Sequence, residues 1–148
     1  MKVINKCGDN GASPLFIACQ KGYLEIVLKL LDKNINTDVN KCVDNGTSPL
    51  YMACQNGYLD IVVELLDKNI NTDVNKCREN GASPLYIACQ HGHLNIVLKL
   101  LDKNINTDVS KCRDDGQSPL YIALLAGHDK IVKKLKTRGA NINKTITN

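Results

Sequence analysis

Shifted against itself by 35 residues, the chain falls into register along nearly its whole length. Pro14, Pro49, Pro84 and Pro119 coincide, as do Gly11, Gly46, Gly81 and Gly116. Two cysteine columns follow the same spacing: Cys7, Cys42, Cys77 and Cys112, then Cys19, Cys54 and Cys89. Residues 7–41 and 42–76 agree at 27 of 35 positions, and 77–111 and 112–146 continue the series. A unit this short has too little surface to bury a core alone, so a fixed period of this size dictates a solenoid in which each unit is stabilised by its neighbours. The 148 residues suit one domain, 1–148, and not two with separate cores.

Inside one unit the signals are local. Ser13-Pro14 reads as an N-cap followed by proline at the first helical position, where the missing N–H costs nothing. The first helix runs from there to Gly22, which suits the left-handed residue that ends a helix. A second helix is predicted from Leu24 to about Lys33. Its Leu24, Val27, Leu28, Leu30 and Leu31 spread too widely for one narrow stripe, so it is buried on two sides. Asp9-Asn10-Gly11, Asp44-Asn45-Gly46 and Asp115-Gly116 mark tight turns between units. Aromatics make up only 4% of the chain and tryptophan is absent, so the core must be aliphatic, which again favours packed helices. The expected fold is all-α, a stack of helix–turn–helix units joined by short hairpin-like turns, without an extended sheet.

The run Asn-Gly-Ala-Ser-Pro-Leu-Tyr-Ile-Ala-Cys-Gln-His-Gly-His-Leu-Asn-Ile-Val-Leu-Lys-Leu-Leu (80–101) resembles the ankyrin repeat, and the likeness covers essentially the whole chain. The chain departs from the family pattern in three ways. Serine replaces the threonine of Thr-Pro-Leu-His, which preserves the cap. Phe16, Tyr51, Tyr86 and Tyr121 replace its histidine, so the inter-repeat hydrogen bonds of that histidine are not carried over. Asn34-Ile35-Asn36-Thr37 stands where the family has Gly-Ala, lengthening the unit from 33 to 35 residues, while the fourth unit keeps Gly139-Ala140-Asn141. The resemblance implies a non-enzymatic module that binds a protein through a concave face made of hairpin tips and first helices. On that reading the candidate contacts are Val43, Arg78 and Arg113 at successive tips, Thr47 and Gln117 beside them, and Lys21, Asn56 and His91 at the first-helix ends. Glu79 and Asp114 follow the two arginines and are expected to form local ion pairs with them. The alternative is a structural spacer, an elastic segment of a longer array with no dedicated site. Near-identical units separate the two, because a spacer has no reason to vary one face. Variation does fall on the tips, but also on the outer helix, at Glu25/Asp60/Asn95 and Lys29/Glu64/Lys99.

The ends differ from the middle. Leu28 and Leu31 correspond to Lys133 and Lys136, so 112–146 reads as a C-terminal cap. Val3-Ile4-Asn5-Lys6-Cys7 imitates Asp38-Val39-Asn40-Lys41-Cys42, the tail of a preceding unit, which suggests the C-terminal part of a longer array or one without an N-terminal cap. Such an open first unit is expected to promote weak end-to-end self-association, and a strict monomer at high concentration would count against it.

Charge and chemistry narrow the function further. The net charge of +4 comes from the C-terminus, where six basic residues after position 127 face Asp129 alone. The first 127 residues carry 13 − 14 = −1. No nucleic-acid partner is therefore expected. No apolar run approaches the roughly 18 residues of a membrane span, and no signal peptide is visible, so no membrane association is expected. His91 and His93 beside Cys89 suggest a metal site, yet Lys21, Asn56, Tyr23 and Tyr58 hold those positions in other units and no ligand set recurs. No catalytic nucleophile, phosphate loop or cofactor motif is present. Stacked units lie roughly 10 Å apart, too far for disulfides along a cysteine column. Seven free thiols, the outer column exposed and the inner buried, point to a reducing, cytoplasmic compartment.

Overall fold

The computed structural model describes residues 2–3, 6–68 and 71–141. Each unit contributes two antiparallel helices: α1 (Pro14–Lys21) with α2 (Leu24–Leu30), α3 (Pro49–Asn56) with α4 (Leu59–Asp67), α5 (Pro84–His91) with α6 (Leu94–Leu100), and α7 (Pro119–Leu125) with α8 (Asp129–Thr137). The first helices α1, α3, α5 and α7 pack side by side in one row, and α2, α4, α6 and α8 form a second row behind them. The only strands among the described residues are β1 (Lys2–Val3) and β2 (Ile35–Asn36), a two-residue parallel pair.

The first helices begin and end where the sequence signals lie. Ser13, Ser48, Ser83 and Ser118 cap them, each hydroxyl accepting the N–H of Phe16, Tyr51, Tyr86 or Tyr121 at 3.0–3.1 Å. Gly22, Gly57 and Gly92 end the first three in the left-handed region. A second constraint acts at the same glycines. A β-carbon on Gly57 would stand 2.8 Å from the His93 ring, and one on Gly92 2.5 Å from that of His128. Each glycine is thus both a helix stop and the floor on which the next unit's ring sits.

The second helix is shorter than expected in units one and three, ending at Leu30 and Leu100 and not near Lys33. In unit two, with the same Asn-Ile-Asn-Thr sequence after it, α4 runs on to Asp67. Asp32 Oδ1 accepts the Asn34 N–H at 2.8 Å, turning the chain, and the Thr37 hydroxyl donates to the Leu30 carbonyl at 2.7 Å. Thr72 and Thr107 do the same for Leu65 and Leu100. A threonine hydroxyl seven residues downstream thereby satisfies a helix-terminal carbonyl that a Gly cap would otherwise serve.

The core is continuous between the two rows. Leu15, Leu50, Leu85 and Leu120 recur in it at one position, Val27, Val62 and Val97 at another, and Cys19, Cys54 and Cys89 at a third. Burial pushes the Cys19 thiol up to about 12 and raises Cys54 and Cys89 in the same direction. The outer cysteines are half-buried, which corrects the expectation of an exposed column. Cys42, Cys77 and Cys112 turn their thiols inward, each donating to the carbonyl two residues earlier, at Asn40, Asn75 and Ser110. Between units, Asn40 grips the next turn with both ends of its amide, donating to Asn71 O at 2.6 Å and accepting from Asp73 N at 2.8 Å. Asn75 repeats this on Asn106 and Asp108.

The two ends of the stack expose what its middle buries. Ile17, Tyr23 and Ile26 are exposed, whereas Ile87 and Ile122, and Ile61, Ile96 and Ile131, their counterparts in later units, are buried. Leu124 on α7, whose counterparts Cys19, Cys54 and Cys89 are buried, is exposed too, and α8 exposes Lys133 and Lys136.

Candidate partner-binding surface

The hairpin tips stack on one another through the backbone. Asp44 N–H donates to Asn10 O at 3.1 Å, Glu79 to Asn45 and Asp114 to Asn80, both at 2.9 Å. Within a tip, Val43 N–H bonds Thr47 O and Gly46 N–H returns to Val43 O. The side chain two positions after Val43, Arg78 or Arg113 stabilises the turn: Asn45, Asn80 and Asp115 accept the N–H of Thr47, Ala82 and Gln117. This is the turn chemistry for which Asn and Asp are favoured.

The tip side chain of one unit lies over the aromatic ring of the unit before it. Arg78 Cζ stands 5.6 Å from the centroid of Tyr51, and Arg113 Cζ 5.5 Å from that of Tyr86. Both are cation–π arrangements. Tyr86 adds a polar tie, its hydroxyl donating to Gln117 Oε1 at 2.8 Å and accepting from Arg113 Nη1 at 3.4 Å. Burial raises both phenols above their ordinary range, and the neighbouring guanidinium opposes the shift in each case. The tyrosines that stand in place of the family's histidine therefore carry inter-unit contacts of their own.

Arg113 and Arg78 differ in their anion. Arg113 Nη2 pairs with Asp115 Oδ2 at 2.6 Å. Among the described residues Arg78 has no ion-pair partner, and its Nε is buried without a hydrogen-bond acceptor. The expected pairs with Glu79 and Asp114 do not form. In the turn closed by Gly116 N–H on Arg113 O, it is Asp115 at position i+2 and not Asp114 at i+1 that meets the guanidinium.

The remaining candidates separate by exposure. Val43 and Gln117 are half-buried. Thr47 is buried at 4% exposure, its hydroxyl spent on Asn45 Oδ1, which corrects the expectation of an accessible contact. Lys21, Asn56 and His91 lie exposed at the ends of α1, α3 and α5. Asn56 donates to Gln20 O of the unit before it at 2.9 Å, so part of its amide serves the stack. His91 stacks on His93 with centroids 6.0 Å apart, and burial followed by the His93 charge lowers its pKa. His93 is held by the Gln55 carbonyl at 3.0 Å and His128 by Gln90 at 3.3 Å. No three His, Cys, Asp or Glu among the described residues converge as a metal site.

Sequence reasoning missed the ring-and-tip pairing, although its signal was present. Phe16 is followed one unit later by Val43, Tyr51 by Arg78 and Tyr86 by Arg113. An apolar ring goes with an apolar tip, and a phenol with a cation. Among the described residues no helix is long and apolar enough to cross a membrane. A family model described as ankyrin repeats (3 copies) matches residues 1–76 and 68–146. No curated protein matches the chain.

Proposed function

Because the chain belongs to the ankyrin-repeat family, whose repeats are generally protein–protein interaction modules and typically non-enzymatic, we propose that it binds a protein partner through the concave face formed by hairpin tips and first helices. The supporting observation is the pair of arginines held over tyrosine rings. An arginine so supported loses less side-chain freedom on binding, and arginine is enriched among residues that dominate interface energies. Arg78 and Arg113 are the central contacts of this reading. Val43 and Gln117 flank them, and Lys21, Asn56 and His91 form the far edge. The fourth unit acts as a cap, and the free thiols suit a reducing compartment such as the cytoplasm.

The test is affinity capture from the native host followed by cross-linking of the captured complex. Cross-links should map to the tips and the ends of α1, α3 and α5. A spacer would give none above background, and cross-links confined to α2, α4 and α6 would place the interface on the opposite row.

A further inference from the structure

The four tips are chemical variants of one geometry, and the third is incomplete. Reading the tip residue with the residue two places on, the units carry Gly8 with Asn10, Val43 with Asn45, Arg78 with Asn80, and Arg113 with Asp115. In unit four the aspartate serves twice. Its Oδ1 accepts the Gln117 N–H at 3.1 Å and its Oδ2 takes the Arg113 guanidinium at 2.6 Å. In unit three Asn80 Oδ1 performs the first task, accepting from Ala82 N–H at 3.0 Å. That leaves the amide nitrogen, a donor, at the place where Asp115 presents its second oxygen. Arg78 therefore keeps the same seat on a tyrosine ring, 5.6 Å from the centroid, without the acceptor that its counterpart has.

We infer that Arg78 is an open carboxylate-binding position, whose ligand is an aspartate or glutamate side chain of the partner segment. The inference rests on the concave-face reading and names the chemistry that face selects. Three observations carry it. The guanidinium is held over the Tyr51 ring, its Cζ 5.6 Å from the centroid. Among the described residues no internal carboxylate forms an ion pair with it. The fourth unit displays the completed arrangement, in which a single carboxylate oxygen on a terminal guanidinium nitrogen closes the site. A carboxylate supplied from outside would reproduce at Arg78 what Asp115 does at Arg113, as a charge-assisted hydrogen bond on a pre-positioned donor.

The chain contains only three arginines, Arg78, Arg113 and Arg138, so their side-chain Nε–H signals in a 15N-labelled sample are readily assigned. The probe is N-acetyl-aspartate N-methylamide, with the asparagine analogue as its neutral control and methyl phosphate as a second anion. The Arg78 signal should shift with the aspartate derivative and stay still with the control, while Arg113 stays still with both. Asn80→Asp supplies the missing internal oxygen and preserves the turn, and it should abolish the Arg78 response. Asp115→Asn should create a response at Arg113. Backbone spectra of both variants report that the tips remain folded. An Arg78 signal that ignores the aspartate probe, follows both probes equally, responds to phosphate alone, or survives Asn80→Asp would overturn the assignment. Because the probe addresses Arg78 without a partner, such a failure leaves the cross-linking result on the concave face to be judged separately.

Discussion

Cys19, Cys54 and Cys89 occupy the position where a small apolar side chain fits between successive first helices, and their ionisation is opposed by burial alone or chiefly by burial. The linkage follows in sign. A thiol whose folded pKa is raised toward 12 from about 9 releases its proton more readily when unfolded, so stability is full below pH 9 and falls as pH climbs above it. Chemical denaturation from pH 8 to 10.5 should show a declining midpoint, and replacing all three by alanine should flatten the decline. A midpoint that falls just as steeply in the triple variant would mean other groups are responsible. The inner column's burial was legible from its place on the first helix. The half-burial of the outer column was not, because at Cys42, Cys77 and Cys112 it goes with a thiol folded back to a carbonyl two residues away, a detail of turn geometry that spacing does not encode. The same limit applied to the arginines, whose expected acidic neighbours Glu79 and Asp114 are adjacent in sequence but form no ion pair with them.

Helix starts and first-helix stops could be read because they are set by contacts within three or four residues: serine to its N3 amide, glycine in the left-handed region. The second-helix end was not legible: it falls at Leu30 and Leu100 in units one and three but at Asp67 in unit two, although Thr37, Thr72 and Thr107 make the same bond from seven residues downstream. The glycine stops also have a part that only the stack reveals, and this part can be measured. Gly92 and Gly127 share a positive φ, 72° and 75°, but a β-carbon on Gly92 meets the His128 ring whereas one on Gly127 meets nothing within 4 Å. Both alanine variants should bear the cost of a left-handed alanine, on the order of 1 kcal/mol. Gly92→Ala should lose clearly more, by about another 1 kcal/mol or above, since the ring must leave its seat on the helix end. Equal losses in urea denaturation would show that the ring yields freely and that the inter-unit contact is weak.

Stacking turns small local regularities into one extended surface, since Tyr51 and Tyr86 seat the arginine of the next unit's tip and Asn40 and Asn75 clamp the next unit's turn. The architecture was legible from the 35-residue period together with the Ser-Pro caps and glycine stops inside each unit, and the chemistry of the candidate site was legible only as a set of variable columns. What joined those columns was invisible in any single unit: the pairing of Tyr51 with Arg78 and of Tyr86 with Arg113 exists between units. The central claim is that these tips, and not the second row of helices, meet the partner. It is tested most directly by measuring the affinity of the captured partner for two double variants, Arg78→Ala with Arg113→Ala, and Glu25→Ala with Asn95→Ala on α2 and α6, each checked for unchanged helicity. The account predicts a loss of at least about 2 kcal/mol for the first and little change for the second; an equal or greater loss in the second would contradict it.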